Sequence, residues 1–352
     1  MPVITGVLLH AVGASCAALC YTPQKKLVKW SWQTYWLAQA SVCWLILPLI
    51  VAWITIPALG TVLSEAPSDA MWKAFGLGMA YGIGGTAFGM AIRYVGFSLT
   101  YAIAVGISCV LGTLLPPFVK GQLLGILEAP GSGWVVSGIL LGTLGIIFCG
   151  VAGRMKELDI LYIQGEKQTF SLAKGLPLCL LAGILSAVYG FSIDQGQPIA
   201  QVAAKYGAGH FQGNVIYIFS NTGAFITTLL YCLYLHNKHD SFKEYAAAST
   251  SKHSFLSLNY IMAVFTGLLW YAQFFFYGLG HVRMGNYRFT SWAIHMIMLV
   301  IFSTVAGILI QEWAGCRNRT VRMVVVALVV LVGAVLILTY GNYLSDSLNH
   351  PE

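Results

Sequence analysis

Long stretches without charge are the feature that most constrains the fold of this chain. Cutting its 352 residues at every Lys, Arg, Asp and Glu leaves ten charge-free stretches of at least 19 residues. A helix needs about 20 apolar residues to cross a bilayer core of roughly 30 Å. The ten stretches are 1–24, 30–64, 74–92, 94–119, 129–153, 175–193, 206–237, 253–282, 289–311 and 323–345. The sequence therefore predicts an all-α polytopic membrane protein with ten transmembrane helices.

Composition supports the membrane assignment and excludes several other classes of protein. Charged residues make up 9% of the chain, against about 25% in soluble domains. This excludes a soluble enzyme and a nucleic-acid binder, and it makes membrane lipid the solvent. The stretches are apolar throughout instead of alternating with period two, which favours helices over barrel strands. The sequence contains neither a nucleotide-binding loop nor Cys or His residues at metal-ligand spacing, so we expect no cofactor and no metal.

The second stretch, 30–64, is long enough to raise the question of a second span. Its 35 residues are too few for two spans and a turn. Pro48 and Pro57 are typical of a kinked or terminated helix. The stretch begins in an aromatic belt of Trp30, Trp32, Tyr35 and Trp36, which is typical of a membrane interface. We expect a single span here.

Basic residues give the expected orientation. Assigned to the loops in order, the Lys and Arg residues divide 14 to 5 between the two sides of the membrane. Because cytoplasmic loops carry the excess of Lys and Arg, the loops 25–29, 154–174, 238–252 and 317–322 should be cytoplasmic. Both termini should then lie on the opposite side.

The longest polar stretch, 154–174, separates two sets of five predicted helices, 1–153 and 175–352. An odd number of helices in each set means that the two sets face opposite ways. Many secondary transporters use such inverted repeats to alternate access around a site near the midplane. Paired glycines four residues apart favour close helix packing; they are Gly78 and Gly82, Gly85 and Gly89, and Gly138 and Gly142.

Polar residues inside the spans are the candidate functional residues, because burying them in lipid costs free energy unless they are paired or face a cavity. At 100° per residue, Trp270, Gln273, Tyr277 and His281 form one stripe on the eighth predicted helix. Aromatic rings cover the C–H face of a pyranose, and an amide supplies directional hydrogen bonds. The stripe therefore suits a small neutral sugar. The competing interpretation is helix–helix packing combined with an interfacial aromatic belt.

Two further helices carry aligned polar groups. The ninth predicted helix brings Ser291 and His295 onto one face with Trp292 beside them, and the seventh aligns Asn214, Tyr217 and Asn221. We include these residues, apart from His295, among the candidate sugar ligands.

Titratable groups on the spans are few, and they are the candidate proton carriers. Three are histidines, His10, His281 and His295, whose side chain titrates near physiological pH. The fourth is Asp194, at the outer end of the sixth predicted span. The alternatives are an interhelical hydrogen-bonding role for each histidine and a solvated helix-end role for Asp194.

Several of these positions fall within longer motifs that cover nearly the whole chain. They are His10-x-x-Gly-Ala-x-Ser15, Tyr21-x-Pro23-x-Lys25-Lys26-x-x-Lys29-Trp30-Ser31-Trp32, Arg93-Tyr94-x-Gly96, Leu269-Trp270-Tyr271-x-Gln273-Phe274-Phe275-Phe276-Tyr277, Gly280-His281 and Ser291-Trp292-x-x-His295-Met296. With these motifs the chain resembles the L-rhamnose-proton symporters of the drug/metabolite transporter superfamily. The resemblance implies ten helices, a bacterial inner-membrane location with periplasmic termini, and uptake of a 6-deoxyhexose with a proton.

The sequence departs from the pattern of that family in two places. Thr100-Tyr101-Ala102 stands where small, Gly-containing residues are expected, and Arg288 stands where an acidic residue is expected. These differences bear on the choice of sugar and on the coupling residue. The alternative functions are another metabolite carrier or exporter of the superfamily and, from a different class, an intramembrane enzyme.

Overall fold

The structure is a computed structural model that describes residues 2–20, 22–95, 97–164, 171–246, 255–285, 288–309, 311 and 313–349. Within these ranges every regular element is helical. The α-helices are α1 (Pro2–Leu19), α2 (Trp32–Ala40), α3 (Leu47–Thr55), α4 (Leu59–Glu65), α5 (Ser68–Val95), α6 (Phe97–Val119), α7 (Leu123–Glu128), α8 (Ser132–Gln164), α9 (Leu172–Gln195), α10 (Gln197–Lys205), α11 (Asn214–His239), α12 (Phe255–His281), α13 (Thr290–Leu309) and α14 (Asn318–Asn349).

Nine helical segments in the described part of the chain are long and apolar enough to cross a membrane. This confirms the prediction of an all-helical, multi-pass membrane protein. The first predicted span is the exception, since the apolar part of α1, Val3–Leu19, is shorter than the other segments. A count of ten spans therefore stays a prediction.

The second stretch forms one segment, Trp32–Thr55, as predicted. Its middle is a π-helical turn, Ser41–Ile46, which joins α2 to α3 and which we call the π segment. Pro48 has no N–H to donate to the carbonyl of residue 44, so regular α-helical bonding fails at this place. The segment ends at Thr55, before Pro57. Ala58, which follows Pro57, has a φ of 49°. One span with an altered middle turn is the result.

The chain divides into two compact units. Unit 1 contains Met1–Ala18, Gly84–Phe191 and Leu279–Glu352, and unit 2 contains Leu19–Ile83 and Ser192–Gly278. Each unit takes residues from both predicted five-helix sets, so the units are not the two sequence halves. Helix α8 continues to Gln164, into the connecting segment 154–174. The inverted repeat stays a prediction.

Glycines allow the helices within each unit to approach closely. In unit 2 a Cβ atom at Gly82 would lie 2.5 Å from the Ala224 carbonyl oxygen of α11, and one at Gly78 would overlap the Ser220 carbonyl oxygen. In unit 1 a Cβ atom at Gly138 would lie 2.6 Å from Leu338 of α14. These separations are shorter than ordinary van der Waals contact, so only glycine fits at these positions.

The start of α2 is capped by a distant residue of unit 2. The Glu244 carboxylate accepts hydrogen bonds from the Ser31 backbone N–H at 2.7 Å, the Ser31 hydroxyl at 2.8 Å and the Thr34 hydroxyl at 2.6 Å. The Trp30 indole N–H donates to the Glu244 carbonyl at 3.0 Å. A carboxylate at a helix N-terminus satisfies unpaired N–H groups and interacts favourably with the helix dipole. Glu244 therefore fixes the beginning of the span that contains the π segment.

Candidate functional site

The predicted stripe on α12 is present in unit 2. Trp270, Gln273 and Tyr277 are all buried, and Gln273 is the most exposed of them at 9%. Their spacing in a continuous α-helix places them on one face. His281, the fourth member of the predicted stripe, is the last residue of α12 and belongs to unit 1. The structure therefore groups the first three residues and assigns the histidine to the other unit.

Aromatic rings surround Trp270. The rings of Trp36 and Trp44 contact it edge to face, with centroid distances of 5.5 and 5.4 Å. Tyr81 of α5 meets the Trp44 ring edge to face, with a centroid distance of 5.9 Å. We call Trp36, Trp44, Tyr81 and Trp270 the aromatic cluster. Indole and phenol rings present broad apolar surfaces with polar edges, which is the surface that a sugar ring requires.

Two amides accompany the aromatic cluster. Gln273 lies one turn beyond Trp270 on α12, and its side chain forms no hydrogen bond with the described residues. Gln39 of α2 is fully buried, and its Nε2 atom has no acceptor among the described residues. Its Oε1 atom accepts a weak bond from the Cys43 thiol at 3.6 Å. Sequence analysis missed Gln39, although the argument from polar residues in spans that selected Gln273 applies to it equally.

The polar residues of α11 are buried in unit 2 and contact neighbouring helices. The Asn214 amide donates to the Thr55 hydroxyl at 2.9 Å, and the Tyr217 hydroxyl donates to the Phe274 carbonyl at 2.7 Å. Asn221 is fully buried. The polar atoms of Asn214 and Tyr217 thus already join α11 to α3 and α12. Their direct contact with a sugar stays a prediction.

Ser291 and Trp292 lie in unit 1, at the start of α13. The Trp292 indole N–H donates to the Ser108 carbonyl at 2.9 Å and lies 3.2 Å from the Ser108 hydroxyl. Its ring packs so tightly on α9 that a Cβ atom at Gly190 would lie 3.1 Å from it. The Ser291 hydroxyl is buried and has no partner among the described residues. Trp292 therefore packs between helices, whereas the Ser291 hydroxyl has its hydrogen-bonding capacity unused.

The three histidines gather in unit 1. The rings of His10 on α1 and His295 on α13 meet edge to face at a centroid distance of 5.9 Å. Gly280, the residue before His281, lies against His10, since a Cβ atom there would be 2.9 Å from His10 Nε2. Charges on His281 and His295 would both act on His10. We call His10, His281 and His295 the histidine cluster. Because like charges at this range repel, protonation of one imidazole disfavours protonation of the others.

Asp194 lies near the end of α9 and is grouped with unit 2. It is half-buried. Its carboxylate acts electrostatically on the Tyr277 hydroxyl, so it accompanies a residue of the α12 stripe. The two chemical types of candidate proton carrier therefore belong to different units.

The described part of the chain has nine helical segments able to span a membrane, an aromatic cluster with adjacent amides, and a histidine cluster. These features define a polytopic α-helical membrane protein with buried polar groups. The model of the L-rhamnose-proton symport protein (RhaT) family matches residues 1–343. An L-rhamnose-proton symporter of Yersinia pestis (strain Pestoides F) is 32% identical over 341 residues, covering 96% of this chain and 98% of the relative. One of Mannheimia succiniciproducens is 32% identical over 343 residues, with the same coverage. The chain belongs to the L-rhamnose-proton symport protein family. This is a family of transporters, so the intramembrane enzyme is excluded.

Proposed function

We propose that this protein imports L-rhamnose, or a closely related 6-deoxyhexose, together with a proton by alternating access. Membership of the family over nearly the full chain supports the cargo and the coupling ion. The observation that carries the sugar assignment is the Gln273 amide, which lies buried beside the aromatic cluster and forms no hydrogen bond with the described protein. A neutral sugar supplies hydroxyl groups for the amide and C–H faces for the rings.

The α12 stripe and α11 hold the sugar in this proposal. Trp270 covers one face of the pyranose, and the Gln273 amide bonds its hydroxyls. Tyr277 and Asn221 complete the set. The remaining candidates are Asn214 and Tyr217 of α11 and Ser291 and Trp292 of α13. Of these, the Ser291 hydroxyl of unit 1 is buried and has no hydrogen-bond partner among the described residues.

The histidine cluster carries the proton. Repulsion between a charged His10 and charges on His281 or His295 disfavours more than one added proton on the cluster. Asp194 is the alternative carrier, and it would act beside Tyr277. Loss of accumulation in Asp194→Asn, with His295→Gln unaffected, would transfer the role to the carboxylate.

The proposed architecture is that of the drug/metabolite transporter superfamily, with ten spans in two inverted repeats, 1–153 and 175–352. The 17 residues of the apolar segment Val3–Leu19 reach about 26 Å at 1.5 Å per residue, close to the thickness of a bilayer core. The family and the 14-to-5 charge division support an inner-membrane location with periplasmic termini. A C-terminal reporter fusion active only in the cytoplasm would overturn this orientation.

Uptake of labelled L-rhamnose into proteoliposomes tests the function. We expect accumulation when the lumen is made alkaline relative to the outside, and only equilibration when a protonophore is added. Accumulation driven by a sodium gradient, with no response to the pH gradient, would replace the proton by sodium.

A different sugar is the second candidate, and Arg288 favours it. Arg288 is exposed in unit 1, and its charge acts on His281, at a position where the resemblance leads us to expect an acidic residue. Tyr101, within the other departure, meets the Phe88 ring edge to face at a centroid distance of 5.0 Å. Competition of labelled L-rhamnose uptake by unlabelled 6-deoxyhexoses separates the candidates, since the true substrate competes most strongly.

A further inference from the structure

The π segment presents two indole rings to the same partner. Trp36 and Trp44 are eight residues apart, which in a regular α-helix places them about 80° apart around the axis. A π turn contains more residues per turn than an α-helix, so it reduces this angle. Both rings contact Trp270, at 5.5 and 5.4 Å. The π segment thus aligns Trp44 with Trp36 on the face directed at α12.

Gln39 lies between these two tryptophans in the chain and is close to the same face of α12. A Cβ atom at Gly267, one turn before Trp270, would lie 3.1 Å from the Gln39 carbonyl oxygen. The Tyr35 hydroxyl donates to Thr266 at 2.5 Å, which fixes the register between α2 and α12. The Gln39 backbone is therefore level with Gly267, about one turn before Trp270 along α12. Gln273 lies one turn after Trp270.

Two N–H donors at this interface have no acceptor in the described protein. They are Gln39 Nε2 and Trp44 Nε1, and both side chains are fully buried. A buried donor without an acceptor costs about 1–3 kcal/mol, and native proteins retain few of them. Both occur beside a π turn, an irregularity that is frequent at functional sites. A ligand that supplies oxygen acceptors would satisfy both donors.

We propose that Gln39 and Trp44 are further sugar-binding residues, and that they select the substrate by donating hydrogen bonds to its hydroxyl oxygens. This assignment rests on the proposed function of the aromatic cluster as a sugar site. Measured along α12, the levels of Gln39 and Gln273 span about six residues, or roughly 9 Å, which is comparable with the size of a monosaccharide. The two amides bracket the ring that stacks on Trp270. Access to the buried donors requires α2 and α12 to separate, which is the movement expected of a carrier that alternates access.

Binding of L-rhamnose and of its analogues that each lack one hydroxyl tests the assignment, with Gln39→Leu and Trp44→Phe as the variants. Both substitutions keep most of the side-chain volume and remove the N–H donor. We expect about tenfold weaker binding of L-rhamnose for each variant, by calorimetry on the full-length protein in detergent. For one hydroxyl-deficient analogue, wild type and Gln39→Leu should bind equally, because the hydroxyl that Gln39 contacts is already absent.

Matched controls are available in unit 2. The Gln197 amide already donates to the Ile193 carbonyl at 3.2 Å, and Trp53 is 75% exposed on α3. Gln197→Leu and Trp53→Phe should leave binding unchanged. Thermal unfolding identifies misfolded variants; Gln39→Met then replaces Gln39→Leu, and Trp44→Leu replaces Trp44→Phe.

The outcomes separate this assignment from the proposed function. Wild-type affinity in both variants, alongside weakened binding in Gln273→Leu, overturns the role of Gln39 and Trp44 and leaves the proposed function intact. If Gln39→Leu weakens the binding of every analogue by the same factor, Gln39 is a packing residue and its selective role is overturned. A wild-type protein that binds none of the 6-deoxyhexoses overturns the proposed function and this assignment together.

Discussion

The buried polar groups of the two units differ in kind. In unit 2 the aromatic cluster is accompanied by amide and indole N–H groups, two of which lack acceptors in the described protein. In unit 1 the histidine cluster packs imidazoles against one another and against a glycine. Unused neutral donors suit a neutral ligand rich in oxygen, whereas clustered imidazoles suit a single positive charge. Under the proposed function, sugar recognition and proton carriage would therefore belong to different sets of residues.

The largest expected effect separates these two roles. His295→Gln should abolish proton-driven accumulation of sugar and leave downhill counterflow unchanged, because the amide keeps a hydrogen-bonding group but cannot carry a proton. His10→Gln and His281→Gln should behave in the same way. The measurement is uptake into proteoliposomes with and without a pH gradient. Accumulation that survives in all three variants would break the comparison and leave Asp194 to be tested.

Gly280 tests whether the histidine cluster depends on close packing. Gly280→Ala should lower the stability of the protein by about 2 kcal/mol, because an added Cβ atom overpacks a filled site. The contacts are the Gly6 carbonyl oxygen and His10 Nε2, each 2.9 Å from that atom. Thermal unfolding in detergent measures the effect. Gly333→Ala is the control, since its nearest neighbour, Leu141, is 3.8 Å away, and it should be neutral or stabilising.

Gln273→Leu tests the sugar side of the comparison. Loss of the amide should weaken L-rhamnose binding about tenfold, equivalent to roughly 1.4 kcal/mol. Stability should change little, because leucine has a similar size and no hydrogen bond with the described part of the chain is lost. Unlike the histidine variants, this one should impair accumulation and counterflow together. Unchanged affinity would return Gln273 to a role in helix packing.

The smallest effect concerns the cap of α2, which supports the unit 2 site. Glu244→Gln should destabilise the protein by about 1 kcal/mol, as loss of a helix cap does, while the pH dependence of transport stays the same. Asp240→Asn is the matched control, because its ion pair with Lys243 is exposed on both sides and such pairs contribute little. If both variants unfold at the same temperature, the cap has no measurable role in stability.

Much of the fold was predictable because membrane spans leave a simple signature. Charge-free stretches identified the long helices, and helical spacing grouped Trp270, Gln273 and Tyr277 correctly on α12. The π segment was not predictable, since it depends on how Pro48 and the contacts with α12 alter the bonding of one turn. Trp36 was interpreted as part of an interfacial belt, whereas it contacts Trp270, a residue far away in the sequence. The partners of Asn214 and Tyr217 likewise arise only from helix packing.

The Glu244 cap imposes an order on biosynthesis. Glu244 follows Ser31 by 213 residues, which a ribosome adding 5–20 residues per second makes in about 10–40 s. Throughout that interval the Ser31 backbone N–H at the start of α2 lacks its carboxylate acceptor and must bond to water or lipid headgroups. The span that bears Gln39 and Trp44 is therefore inserted early but gains its cap late, only after α11 has been translated and the segment that follows it has left the ribosome.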